Sequence, residues 1–171
     1  MLRKTRIAAA VGVVLALGFG TTASADDFEW RARPMVGANE VPANTSAAEA
    51  RASFEKDDGV IQYKIRMRKP ITGAFMGHIH AQVAGKNGPI VVWLFGDIKL
   101  GAGNPTVDFA KGAVVAKGEI TADQLVGPLA GKTLDDLMAI LDNGGAYVNL
   151  HTRAHPGGEI RAQIMRENED D

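Results

Sequence analysis

Four histidines occur in the 171-residue chain, and they fall in two short segments. His78 and His80 lie in "GHIHAQVAGKNGPIVVWLF", residues 77–95. His151 and His155 lie in "YVNLHTRAHPGGEIRAQI", residues 147–164. A neutral imidazole offers one nitrogen lone pair, which suits zinc and copper ions. On a strand, residues two apart share a face and stand roughly 7 Å from each other. Metal–nitrogen bonds are about 2 Å long, so two leaning rings can meet on one ion. A second strand carrying His151, with His155 in the loop that follows it, would supply further ligands. Met76 shares the face of His78 and His80, and its thioether is a ligand for Cu(I). Glu159 stands beside the second pair and could serve as a further ligand or orient an imidazole. The chain has no cysteine, so any metal site must use histidine, carboxylate or methionine. Ligation needs neutral imidazole, and free histidine titrates near pH 6.5, so protons should compete below about pH 5.5. A hydrogen-bonded structural pair of histidines and chance clustering are the alternatives.

The elements that must position these residues are mostly strands. Residues 48–54 and 61–67 alternate apolar and polar at period two, joined by Asp57-Asp58-Gly59, and read as a hairpin. Pro70 to Gly73 breaks the alternation, and it resumes from Met76 to Val83. Ile90 to Phe95 is a continuous apolar run expected to be a central strand, and Val114 to Ile120 is another strand. Leu134, Leu137, Met138 and Leu141 recur at helical spacing behind the N-cap Thr133, with Asp135 and Asp136 in the first turn and Asn143-Gly144-Gly145 at the end. Two short strands, 146–152 and 159–165, close the chain. Val148 and Leu150 fit the core, so Tyr147, Asn149 and His151 face the other way, onto a polar face open to solvent. Asn39-Glu40-Val41-Pro42 is a shaped turn whose Glu40 could bond backbone amides, and Glu159 with Arg161 reads as a surface ion pair. The pattern predicts an all-β fold, an antiparallel Greek-key β-sandwich with one short helix.

Residues 1–25 have the form of a signal peptide: Arg3, Lys4 and Arg6, then about fourteen small and apolar residues, then Ala23-Ser24-Ala25. The apolar run is shorter than the roughly twenty residues of a membrane-spanning helix. Cleavage after Ala25 would leave a single domain, 26–171, with an acidic tail, located in the periplasm or secreted. Removing three of 19 basic residues leaves 16 against 20 acidic ones, and no basic run interleaved with aromatics appears. Nucleic-acid binding is therefore not expected. "AGKNGP" lacks the ending and the following helix of a phosphate loop. No local signature supports a Ser-His-Asp arrangement, and no catalytic residue is assigned.

Three segments together resemble the CHRD domain, named from chordin and found also in exported bacterial proteins. They are "GANEVPANTSAAEARASF", "GHIHAQVAGKNGPIVVWLF" and "YVNLHTRAHPGGEIRAQI". The resemblance runs from about Met35 to Ile164. It implies a β-sandwich of immunoglobulin-like or superoxide-dismutase-like kind, and a protein-binding role is one precedent in the family. The family pattern includes counterparts of His78, His80 and His151, whereas His155 stands where asparagine also occurs. A partial likeness to Cu,Zn superoxide dismutases stops at the strand His-x-His, because the histidines are too few for two metals. The expectation is an exported protein with one copper or zinc ion, copper preferred, held by His78, His80, His151 and His155. The alternative is an extracytoplasmic protein- or polysaccharide-binding module whose histidines are structural.

Overall fold

The computed structural model describes residues 29–167. The expected leader and the acidic residues after Glu167 lie outside the described residues. Ten strands and one α-helix follow one another: β1 (Trp30–Val36), β2 (Glu49–Asp57), β3 (Val60–Lys69), β4 (Ile71–Ala81), β5 (Ile90–Phe95), β6 (Val107–Phe109), β7 (Val114–Ile120), α1 (Leu134–Asp142), β8 (Ala146–Thr152), β9 (Ile160–Gln163) and β10 (Met165–Arg166). Every pairing is antiparallel. The all-β class expected from the alternation holds.

The strands form one hydrogen-bonded path, β5-β4-β8-β9-β1-β2-β3-β7, with β10 on β1 and β6 on β4. The sheet curls until its two ends meet, so the molecule is a nearly closed barrel. The seam between β5 and β7 is not a ladder. It is fastened by the Val126 amide on the Val91 carbonyl (2.9 Å) and by the Tyr63 hydroxyl on the Leu94 carbonyl (2.8 Å). Gly127 presses close here, since a Cβ on it would stand 2.5 Å from the Ile90 carbonyl oxygen.

Inward-facing residues of all the long strands fill the interior. Phe54, Ile61, Ile65, Ile79, Ile120, Val148, Leu150 and Ile160 are fully buried. Each such side chain contributes about 1.5–3 kcal/mol of hydrophobic stabilisation. The β2–β3 hairpin turns at Asp58 and Gly59, both at positive φ (41° and 88°). That pair of left-handed residues matches the right-handed twist of the strands it joins.

Helix α1 sits in the long connection from β7 to β8. Its cap is reciprocal: the Asp136 amide donates to Thr133 Oγ1 (3.2 Å) and the Thr133 amide donates to Asp136 Oδ2 (2.9 Å). Leu137 and Leu141 are buried, and Trp30 Nε1 donates to Asp142 Oδ1 at 2.9 Å.

Three strands were not anticipated. β1 holds Arg31, Arg33 and Pro34 among its apolar residues and does not alternate cleanly. β6 and β10 have three and two residues, too short for a periodic signal. β4 begins at Ile71, so only Pro70 interrupts the chain there, and Gly73 (φ 71°) falls inside the strand.

Candidate metal centre

The centre is built on the outer face of β4, β5, β8 and β9. Register places the side chains in rows across the strands. Met76 pairs with His151, His78 with Asn149, and His80 with Tyr147. On its other side His78 pairs with Trp93 of β5, and Asn149 pairs with Arg161 of β9. Gly77 leaves room for the Leu150 side chain on the inner face, since a Cβ there would stand 2.7 Å from Leu150 Cδ2.

His78, His80 and His151 converge, with one ligating atom from each lying within 4.8 Å of the others. Their tautomers follow from the second nitrogen of two of the rings. His151 Nδ1 is 2.9 Å from the Pro156 carbonyl, and His80 Nδ1 is 2.8 Å from the Gly88 carbonyl. A carbonyl can only accept, so both Nδ1 atoms carry the proton and both Nε2 atoms present lone pairs. His151 Nε2 lies 3.2 Å from His78 Nδ1, which can donate to it, and 3.1 Å from Asn149 Oδ1, a contact between two acceptors once the proton is on Nδ1. The Nε2 atoms of His78 and His80 are buried without a hydrogen-bond partner. Orphaned polar atoms of this kind are costly.

The expectation that these rings reach solvent is not met. His78, His80 and His151 are 0%, 8% and 5% exposed. The outer face here is covered as well as the inner one, and all seven residues of β8 are buried. The covering groups are aromatic and cationic side chains and two loops. The Trp93 ring lies 4.2 Å from that of His78, nearly perpendicular to it. Tyr147 stacks flat on His80 at 4.8 Å, and the Arg161 guanidinium sits 4.2 Å from the Tyr147 ring centre. Gly88 and Pro156 belong to the loops whose carbonyls hold the two outer rings.

Burial drives all three imidazoles towards the neutral form. His78 is pushed down to about 3, by desolvation first and then by His151 and His80. His151 falls to about 4, again chiefly by desolvation, against the pull of the Pro156 carbonyl. His80 is also lowered by desolvation, opposed by its bond to Gly88. Neutral imidazole is the ligating form.

The other expected residues are placed differently. His155 is half-buried in the turn between β8 and β9, where its amide donates to Thr152 Oγ1 (3.1 Å), and it is not part of the three-histidine group. Met76 is half-buried opposite His151. Glu159 accepts hydrogen bonds from Ser46 Oγ (2.7 Å) and from Thr152 Oγ1, and so ties the 44–48 segment to the end of β8.

Arg161 does not pair with Glu159, and the pair it does form is not on the surface. Its Nε donates to Glu40 Oε2 at 2.7 Å, with both side chains at most 5% exposed. It also reaches Asn87 Oδ1 (2.6 Å) and the Lys86 carbonyl (3.2 Å). Burial raises the pKa of Glu40 against the opposing effects of Arg161 and of the neighbouring Val41 amide, and its Oε1 has no hydrogen-bond partner. Sequence alone gave no sign of this pair, because its partners are 121 residues apart. The role of Trp93 was equally hidden, since it depends on the register of β5 against β4. Two sizeable cavities, of about 310 and 800 Å³, lie around Lys56, Ile61 and Met138 and around Tyr63, Lys64 and Lys117, and neither is lined by the histidines.

Comparison with known proteins finds no match among the curated proteins and none among the solved structures. Comparison with known families matches residues 32–164 to the CHRD domain. That stretch spans β1 to β9 and contains all three converging histidines, and the chain belongs to the CHRD domain family.

Proposed function

We propose that this chain is an exported protein that binds one transition-metal ion, copper in preference to zinc, through His78, His80 and His151. The observation that carries the reading is the convergence of three buried imidazoles, two of them with an orphaned Nε2. An ion at that point would satisfy the lone pairs that the fold leaves without partners. His155 stands in the turn beside the centre and would contribute less. Met76, opposite His151, offers the thioether that favours copper. The export half of the proposal draws on the form of residues 1–25, and it is tested by intact mass, which should begin at Asp26.

Added Cu or Zn should raise the melting temperature of the metal-free protein. A ligand at a hundredfold excess over its dissociation constant adds about 2.7 kcal/mol, several degrees for a domain of this size. The double variant His78→Ala with His80→Ala should lose that shift and remain folded without metal. Unchanged melting of the wild-type protein with either metal would remove the proposal. In its place would stand a protein- or polysaccharide-binding module, in which the His78–His151 contact merely ties β4 to β8.

A further inference from the structure

We infer that the three-histidine centre selects a monovalent ion, Cu(I), over divalent zinc or copper. The inference rests on the metal-binding reading and adds the charge of the ion to it. The donor set is neutral, since the converging group consists of three imidazoles and contains no carboxylate. The polar side-chain atom beside His151 Nε2 is the Asn149 amide oxygen, which is neutral as well. The two buried carboxylates of this wall lie outside the converging group, although Glu40 keeps one oxygen, Oε1, without a hydrogen-bond partner. Glu40 is held by Arg161, and Glu159 by Ser46 and Thr152.

An ion entering this site gives up its hydration among residues that are at most 8% exposed. The cost of burying an ion grows with the square of its charge, roughly fourfold from +1 to +2, and neutral imidazoles offset it less than an anionic ligand would. Arg161 adds little to this discrimination: its guanidinium lies over Tyr147, which stacks on His80, but its charge is paired with Glu40 at 2.7 Å. Coordination number agrees with charge. Zn(II) completes a tetrahedron with a fourth ligand, and Cu(II) prefers a tetragonal set. Three ring nitrogens within 4.8 Å of one another suit a trigonal Cu(I) centre.

The experiment titrates the full chain without oxygen, with Cu(I) supplied as its bicinchoninate complex, and separately with Zn(II) against a divalent-ion chelator. One equivalent of Cu(I) should bind, tighter than Zn(II) by on the order of a thousandfold, the scale of one buried charge left uncompensated. The potential of bound copper gives an independent reading. A thousandfold preference for Cu(I) over Cu(II) raises it by ~180 mV above the free couple, at 59 mV per decade. Asn149→Asp puts a carboxylate beside the donors and should cut the Cu(I)-to-Zn(II) ratio at least tenfold, by roughly one charge-assisted interaction. Equal or tighter binding of Zn(II) by the wild-type chain overturns the inference while leaving metal binding intact. A ratio unmoved in a folded Asn149→Asp protein also overturns it. Should that variant not fold, the wild-type ratio and the potential decide the matter. Failure to bind either ion overturns this inference and the metal-binding reading together.

Discussion

Each imidazole of the centre refuses a proton that the same residue accepts in the unfolded chain. Unfolded histidine titrates near pH 6.5, whereas His78 and His151 in the fold titrate at about 3 and about 4, and His80 is lowered too. Over that window the unfolded state binds more protons, so stability is complete above about pH 6.5 and falls as the pH drops towards 4. The slope is ~1.4 kcal/mol per pH unit for each imidazole involved. Calorimetry of the metal-free protein should therefore show melting decline steeply between pH 6.5 and 4, and His78→Gln should flatten the decline. A pH-independent melting temperature across that range would contradict it. Burial also changes the expected acid limit of metal binding. Free imidazole suggests competition below about pH 5.5, but in the folded protein protons begin to win nearer pH 4.

At the scale of elements, local patterns were legible and cover was not. The β2–β3 hairpin, β7, β8 and the capped helix α1 announce themselves through alternation, turn residues and an N-cap, all of which act over a few residues. The shared face of Met76, His78 and His80 with Tyr147, Asn149 and His151 was legible for the same reason. What no period-two pattern encodes is that this face lies beneath other groups. Trp93, Arg161 and the loops at Gly88 and Pro156 arrive from distant parts of the chain, so a buried site read as an open one. Two substitutions separate the elements that matter. Thr133→Ala removes the cap of α1 and should cost about 1 kcal/mol in urea denaturation, with metal affinity unchanged. Gly77→Ala puts a methyl against Leu150 Cδ2 on the face opposite the histidines and should cost about 1–3 kcal/mol, and strain passed through β4 should weaken metal binding. Equal metal affinities in the two variants would show that packing beneath β4 does not set the site.

For the molecule as a whole, the Glu40–Arg161 pair is a long-range clamp. It joins the turn after β1 to β9 and, through Asn87 and Lys86, to the loop between β4 and β5. Breaking one side of a buried pair leaves a bare charge, so Arg161→Leu should destabilise by about 3–5 kcal/mol. Replacing both partners with apolar residues should recover part of that loss, and the comparison by denaturant unfolding separates a lost charge pair from lost packing. If the single and double variants are equally unstable, packing is the main contribution of Arg161. The family match over residues 32–164 covers both ends of this clamp.

The seam between β5 and β7 has a consequence for how the barrel breathes. β5 is laddered only to β4, and on its other flank it is held by the Val126 amide and the Tyr63 hydroxyl. As an end strand of the sheet with few bonds on that flank, β5 should exchange its amides with deuterium ahead of β4 and β8, which are laddered on both sides. It also carries Trp93, so a fluctuation that lifts β5 uncovers His78. On the metal-binding reading, an ion would reach the buried histidines through a transient parting of the barrel wall, and binding should slow exchange along β5 most of all.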